Sequence, residues 1–300
     1  MKHCYTFIII LQLFFFNNSI AQHDSSSIRS FTKFNINYLS NSVYFGRKDS
    51  STTPYLRSSI SYFDRSGFYI SAGMALLIKT HTPVRLDLFN IDAGYNFTIN
   101  QFDAGVYASK FFYSKASYAV ASEIKGLSGF YLNYNQSIIS VGGGGYILFS
   151  PATDFGTYIN LSHTFEKEKE NSYWSFAPSI QLNAGTQYFN EAYYEFRKFP
   201  FPTTAGNNGK NKGKGHAHSS NNGNINTQVK TVTFYNQKQF KILDLELSLP
   251  INYEKNYWGL YAIPTVALPT NAAEYAIDNS LQKESLAPVF FTEIGAYIKF

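Results

Sequence analysis

From Leu243 onward the chain alternates. Leu243, Leu245, Leu247, Leu249 and Ile251 fall on one face, and Asp244, Glu246, Ser248 and Asn252 on the other. Successive side chains of a strand point to opposite sides, so this stretch predicts an extended segment with one apolar and one charged face. Related patterns recur along the chain, while 3.6-residue amphipathic periodicity is almost absent. A soluble sheet hides its apolar face and covers its outside with charge. Here charged residues make up only 15%, against about 25% in a typical soluble domain, and aromatics reach 18%, with 24 Tyr and 28 Phe against 2 Trp. Few charges, many aromatics and no long apolar run suit strands that meet lipid on one side and water on the other.

Twelve such segments are expected: 31–45, 54–63, 67–79, 84–98, 101–113, 117–133, 137–149, 154–165, 172–185, 239–253, 256–268 and 287–300. Ten or fourteen remain open alternatives. In the fourth, Val84, Leu86 and Leu88 oppose Arg85 and Asp87, and the apolar phase then slips to Ile91 and Ala93. That slip predicts a bulge near Phe89-Asn90. The fold class is therefore all-β, a transmembrane antiparallel up-and-down barrel of about twelve strands. An even count puts both termini on one side. The short turns Asp64–Gly67, Ile99–Gln101, Tyr134–Gln136, Glu166–Asn171 and Glu254–Asn256 then share that side. The long connections 186–238 and 269–286 fall opposite.

The first residues read as a processing segment. Lys2 and His3 are basic, Phe7 to Phe16 is apolar apart from Gln12, and Ser19-Ile20-Ala21 offers small residues for cleavage. This predicts a secretory signal peptide over 1–21 and a barrel over 22–300. The apolar stretch is about ten residues, and a spanning helix needs roughly 20. The sole cysteine, Cys4, lies within the signal, so the mature chain has no disulfide, thiolate metal site or cysteine nucleophile. Removing Lys2 lowers the formal charge from +5 to +4, too modest an excess to argue for nucleic acid.

Within 186–238, Tyr188, Phe189, Tyr193, Tyr194 and Phe196 predict an ordered stretch to about 204, either capping the lumen or resting on its rim. The Gly, Asn, Ser and Lys of 205–224 cannot bury enough apolar area to offset chain entropy, so disorder is expected there. His216 and His218 supply two imidazoles without the further ligands of a metal site. Lys210, Lys212 and Lys214 are solvated or touch anionic lipopolysaccharide. Gly142 to Gly145 lacks the Lys-Ser/Thr of a phosphate loop and predicts a strand kink or a close approach.

The polar faces are more informative. Arg57, Arg85, Asp87, Asp103, Asp244 and Glu246, with Lys299, mix both signs toward the lumen, where they pair across a plugged barrel or line a small hydrated pore. Ser162-His163 is no catalytic pair, because adjacent strand residues face opposite ways. No catalytic, metal-binding or cofactor-binding residue is assigned, and the chain is expected not to be an enzyme. A lipid-modifying enzyme of the outer membrane is the alternative.

The last strand carries a resemblance. Glu293, Gly295, Ile298 and Phe300 resemble the terminal signal by which bacterial outer-membrane barrels are handed to the barrel-assembly machinery. The chain is also similar to uncharacterised outer-membrane barrels of Bacteroidota in Val43-Tyr44-Phe45-Gly46-Arg47-Lys48-Asp49, in Leu182-Asn183-Ala184-Gly185-Thr186-Gln187 and in Ile242 to Ile251. The resemblance implies the barrel fold, an outer-membrane location, and contact with membrane lipid, lipopolysaccharide and the assembly machinery. It implies no catalytic residue. The expected role is a small-solute channel or an envelope-surface protein.

Overall fold

The computed structural model describes residues 29–48, 52–79, 83–117, 119–136, 138–188, 232–277 and 280–300. The expected signal segment, the 205–224 stretch, His81, His216, His218 and the three loop lysines lie outside the described residues.

The chain closes into a twelve-stranded antiparallel barrel. The strands are β1 (Phe31–Leu39), β2 (Tyr55–Phe63), β3 (Phe68–Leu77), β4 (Arg85–Ile99), β5 (Phe102–Tyr113), β6 (Gly126–Asn135) and β7 (Ser140–Phe149). There follow β8 (Asp154–Ser162, resuming as Phe165–Lys169), β9 (Ser172–Phe176, resuming as Ser179–Gly185) and β10 (Lys241–Ser248, resuming as Ile251–Lys255). The last are β11 (Trp258–Pro269) and β12 (Val289–Lys299). The fifteen segments of the main sheet make twelve strands because β8, β9 and β10 are each broken once. Each strand pairs with its sequence neighbours, and β12 closes on β1 from Lys33–Lys299 to Leu39–Glu293. Backbone bonds between Thr32 and Phe300, in both directions, complete the seam.

The five short connections share one end. At Asp64–Gly67, the Ser66 amide donates to Asp64 Oδ1 at 2.9 Å and Gly67 takes φ +99°, a conformation that favours glycine. Hydrogen bonds from Ser66, side chain and backbone, hold the Asp64 carboxyl down at about 2. The longer loops gather at the opposite end. Outward positions form an apolar band that includes Phe34, Ile36, Ile60, Ile70, Met74, Ile91, Val106, Leu132, Ile159, Ile180 and Ile294, all exposed. An aromatic belt rings the turn end, with Phe31 on Phe63 and Phe102 against Tyr134, each pair at 4.9 Å, and Trp174 against Tyr253 at 4.6 Å. Such belts mark the lipid–water boundary of membrane barrels. No helix among the described residues is long and apolar enough to cross a membrane.

Two expectations about phase are corrected. The slip in β4 lies at Asp87-Leu88, opposite Ala75 and Leu76, rather than near Phe89-Asn90. In β10 the register shifts opposite Asn183 and Ala184. A bulge sets two consecutive residues against one. Leu88 and Leu243, both expected on the outer face, are therefore buried beside Asp87 and Asp244. Two strands are also shorter than expected. β1 stops at Leu39 and β6 begins at Gly126, because 43–48 and 120–123 fold as a small hairpin and a 3-10 turn.

The middle of the lumen is lined by tyrosines laid over glycines. Tyr69, Gly94, Tyr107, Gly129, Tyr146 and Gly156 face one another in a single row from β3 to β8. The adjoining row runs Gly105, Tyr131, Gly144 and Tyr158 from β5 to β8. Tyr261 lies against Gly295, and Tyr297 against Gly259. A Cβ on Gly94 would come within 2.5 Å of the Tyr69 ring, so each ring occupies the room that a missing side chain leaves. In the Gly142–Gly145 run, the close approach is made by the Tyr158 ring on Gly144 and by the Asn133 side chain on Gly142.

Candidate functional site

The lumen is blocked at the loop end by its own first loop. Val43–Tyr44 and Arg47–Lys48 pair as a small hairpin, turned by Phe45 at φ +49° and Gly46 at φ +69°. The hairpin leaves from between β1 and β2 yet reaches the far wall. The Phe45 ring stacks 6.5 Å from Tyr146 of β7, and Gly46 sits so close to Pro269 of β11 that a Cβ would lie 2.8 Å from its ring. Val43, Tyr44 and Phe45 share one buried apolar cluster with lumen residues Leu39, Tyr55, Leu77, Leu88, Phe111, Leu127, Leu148, Leu243 and Phe291, and with Ala121, Ile124 and Tyr275 from two other loops.

Arg47 latches the hairpin. Its Nε donates to both carboxylate oxygens of Glu284 at 3.1–3.2 Å. Nη1 donates to the carbonyls of Phe45 at 2.9 Å and Leu243 at 3.4 Å. Nη2 donates to those of Thr270 at 3.1 Å and Asn271 at 3.3 Å. The fork-shaped guanidinium can serve several acceptors at once. At the neck of the loop, Asn41 Oδ1 accepts from the Thr53 amide at 2.9 Å, and the Ser42 amide donates to the Thr53 carbonyl at 3.0 Å.

All six expected lumen charges lie on inward-facing strand positions, and Arg57, Arg85, Asp87, Asp103 and Asp244 all have hydrogen-bond partners in the surrounding wall and loops. Arg57 pairs with Glu293 and donates Nε to Asn37 Oδ1 at 2.7 Å, while Tyr261 donates to Glu293 Oε1 at 3.0 Å. This buried set spans β2, β1, β12 and β11 across the closing seam. Asp87 accepts from Tyr55 at 2.5 Å, Ser117 at 2.6 Å and Arg85 at 3.1 Å, which pins the loop before β6. Asp103, at the turn end, accepts from Thr98 and Asn135, each at 2.6 Å. Lys299, with Tyr297, is held by Glu254. Asp244 and Glu246 stand on the lumen face of β10, both buried; Asp244 accepts from Asn183 Nδ2 at 2.8 Å, and Asn183 Oδ1 in turn accepts from Gln181 Nε2 at 3.0 Å. Among the described residues, no Lys or Arg forms an ion pair with Asp244. Of the expected assembly-signal residues, Glu293 and Gly295 face the lumen, whereas Ile298 and Phe300 face outward, Phe300 being 74% exposed.

A line of prolines interrupts the wall. His163 donates its amide to Pro178, Ala177 to Pro250, and Leu249 to Pro264, at 3.2, 2.8 and 3.1 Å. The reciprocal bond of each pair cannot form, because proline has no N–H. Three neighbouring strand pairs therefore lose one ladder bond at one level, and β8, β9 and β10 break there. Outside this seam lies an apolar groove of about 480 Å³, lined in part by Leu161, His163, Pro178, Ile180, Leu249 and Pro264. Ser162 faces the lumen and is buried, while the His163 ring packs edge-on against Phe165 at 4.2 Å. The two side chains do not meet.

Sequence reasoning placed the lumen charges but missed the plug. Val43, Tyr44 and Phe45 were absorbed into an over-long first strand, Arg47 fell in the connection after it, and Glu284 was left in a long loop. The Phe45-Gly46 step was the available signal, since a glycine following an apolar run marks a bend.

No family model matches the chain, and no curated protein matches it. Among solved structures it is similar to the KdgM porin at 9% identity, covering 90% of this chain and 99% of that one, with a TM-score of 0.43. It is similar to LpxR from Salmonella typhimurium at 9% identity, covering 89% and 99%, with a TM-score of 0.46. The anion-selective porin from Comamonas acidovorans matches at 9% identity over 91% and 99%, with a TM-score of 0.25.

Proposed function

We propose that this chain is a non-enzymatic outer-membrane β-barrel with a porin-like wall whose resting lumen is closed to solute, displayed at the envelope surface. The observation that carries the reading is the plug. The hairpin 43–48 crosses the lumen, buries Val43, Tyr44 and Phe45 and is held by Arg47, and tyrosine rings line the wall at the level below. With the short turns in the periplasm, the plugged end faces outward. Lipid and lipopolysaccharide then meet the apolar band, and solute passes only when the hairpin leaves. Purified protein in planar bilayers should give no stable ion conductance. The same sample should release no fatty acid from phospholipid or lipopolysaccharide. Persistent open channels, or lipid turnover lost on replacing His163, would overturn the reading.

Export and assembly are part of the same proposal. A Phe300→Asp chain keeps the two backbone bonds with Thr32, so its behaviour reports on the side chain alone. If Phe300 is read by the barrel-assembly machinery, heat-modifiable protein in the outer membrane should fall and a protease-sensitive periplasmic form should accumulate. Wild-type levels of folded protein would remove Phe300 as the signal.

A further inference from the structure

On its lipid side the proline seam opens a layered surface. At the seam the outward positions are His163, Pro178, Leu249 and Pro264, and the short proline rings leave the groove of about 480 Å³ among taller neighbours such as Leu161, Ile180 and Phe290. Two residues nearer the turns, Phe165 faces Phe176, and Phe176 faces Ile251. Two further on, Lys167 faces Trp174, and Trp174 faces Tyr253. Last come Lys169 against Ser172, and Lys255 between Ser172 and Trp258. Each step of two residues on one face is about 6.6 Å along a strand. An apolar groove, an aromatic layer and a cationic layer therefore follow one another over about 20 Å of tilted strand, no more than the depth of half a bilayer.

The composition of this face differs from the rest of the belt. The chain has 2 Trp, and both stand here. Trp174 packs against Tyr253 at 4.6 Å, and Tyr253 meets Trp258 edge-on at 5.5 Å. Among the five short turns, lysine occurs only in the two beneath this face, as Lys167, Lys169 and Lys255. All three are exposed, and none has an ion pair among the described residues. The acids beside them, Glu166, Glu168 and Glu254, alternate onto the opposite face. There Tyr173 donates to Glu166 at 3.1 Å, and Glu254 is taken by Lys299 and Tyr297. We propose that this face of β8 to β11 binds one anionic phospholipid of the turn-side leaflet, with an acyl chain in the groove and the phosphate held by Lys167, Lys169 and Lys255. The groove has the size of a small-molecule site, about 300–1,000 Å³. Lysine stems lie along apolar surface with their heads at the water boundary, and Trp and Tyr rings suit the level between chain and headgroup. The site rests on the reading of the chain as an outer-membrane barrel with periplasmic turns, and adds one specific lipid to it.

Trp174 and Trp258 carry all of the tryptophan fluorescence, so that signal reports on this face alone. Folded protein is reconstituted in phosphatidylcholine vesicles containing increasing fractions of chain-brominated phosphatidylglycerol or chain-brominated phosphatidylcholine. An interfacial lysine favours an anionic lipid by about fivefold, so with three of them half-quenching by the anionic lipid should come at a more than about tenfold lower mole fraction. Lys167→Gln, Lys169→Gln and Lys255→Gln together should abolish that preference and leave the barrel folded and heat-modifiable. Val266→Phe narrows the groove without touching a charge and should raise the half-quenching fraction of the anionic lipid. An unchanged half-point there would overturn the proposal in favour of diffuse surface charge. Equal quenching by the two lipids, or a preference that survives the triple change, would overturn the site while leaving the barrel in the membrane. Quenching by neither would remove the membrane placement as well. Lipopolysaccharide displacing the brominated lipid as well as unbrominated phosphatidylglycerol does would give the face to the other leaflet and overturn the proposal.

Discussion

Replacing residues 43–48 with a Gly/Ser linker of equal length should turn a silent barrel into a conducting one. The hairpin is joined to the wall by a neck at Asn41 and Thr53 that the change leaves intact, so the loop stays tied and only its filling is lost. Val43, Tyr44 and Phe45 are each buried, and burying a side chain of this kind contributes about 1.5–3 kcal/mol. Three of them hold the closed state by roughly 5–9 kcal/mol. Moving a two-state equilibrium from 1:99 to 99:1 takes about 5.5 kcal/mol, so the linker chain should sit open for most of the time. Arg47→Ala should act in the same direction more weakly, as brief openings, because the apolar filling remains. Stepwise currents in planar bilayers are the measurement. If the linker chain is folded and heat-modifiable yet silent in repeated insertions, the hairpin is not the seal.

Arg57→Ala should be among the most damaging single changes in the wall. It would leave Glu293, whose side chain is 2% exposed, with only the Tyr261 hydroxyl to answer its charge. Removing one partner of a buried ion pair costs about 3–5 kcal/mol, whereas replacing both with apolar residues of similar size is often neutral. The urea midpoint of folded protein should therefore drop sharply in Arg57→Ala and in Glu293→Ala. It should recover most of the way in Arg57→Met with Glu293→Leu. These residues tie β2, β1, β12 and β11 together where the barrel closes, so the loss should appear as earlier unfolding of the whole barrel. A double variant as unstable as the worse single one would mean that the pair is not what holds the seam.

How far the chain could be read depended on what kind of relation each feature is. Alternation is local, and it located all twelve strands and turned Arg57, Asp87, Asp244 and Glu246 inward. It failed at Leu88 and Leu243, because a bulge shows itself only against the partner strand, as a register shift opposite Ala75–Leu76 or Asn183–Ala184. Val43, Tyr44 and Phe45 are apolar in a strand-like order, and nothing within them says that they fold back across the lumen. The Arg47–Glu284 contact joins residues 237 positions apart. The relay through Gln181 and Asn183 likewise needs the register of β9 on β10 before it can be seen.

The tyrosine–glycine rows bear on how this wall can drift over generations. A Cβ at Gly144 would lie 2.5 Å from the Tyr158 ring, so the glycine cannot gain a side chain while the ring stays. Losing the ring first opens a void in the closed lumen, with the cost that voids in close-packed interiors carry. Each contact therefore joins two positions on neighbouring strands into one heritable unit. Across related chains, the imprint to look for is covariation: at 94, 129, 144 and 156 a larger residue arrives only where the tyrosine beside it has been traded away, and the bore of the barrel widens or narrows by such exchanges in pairs.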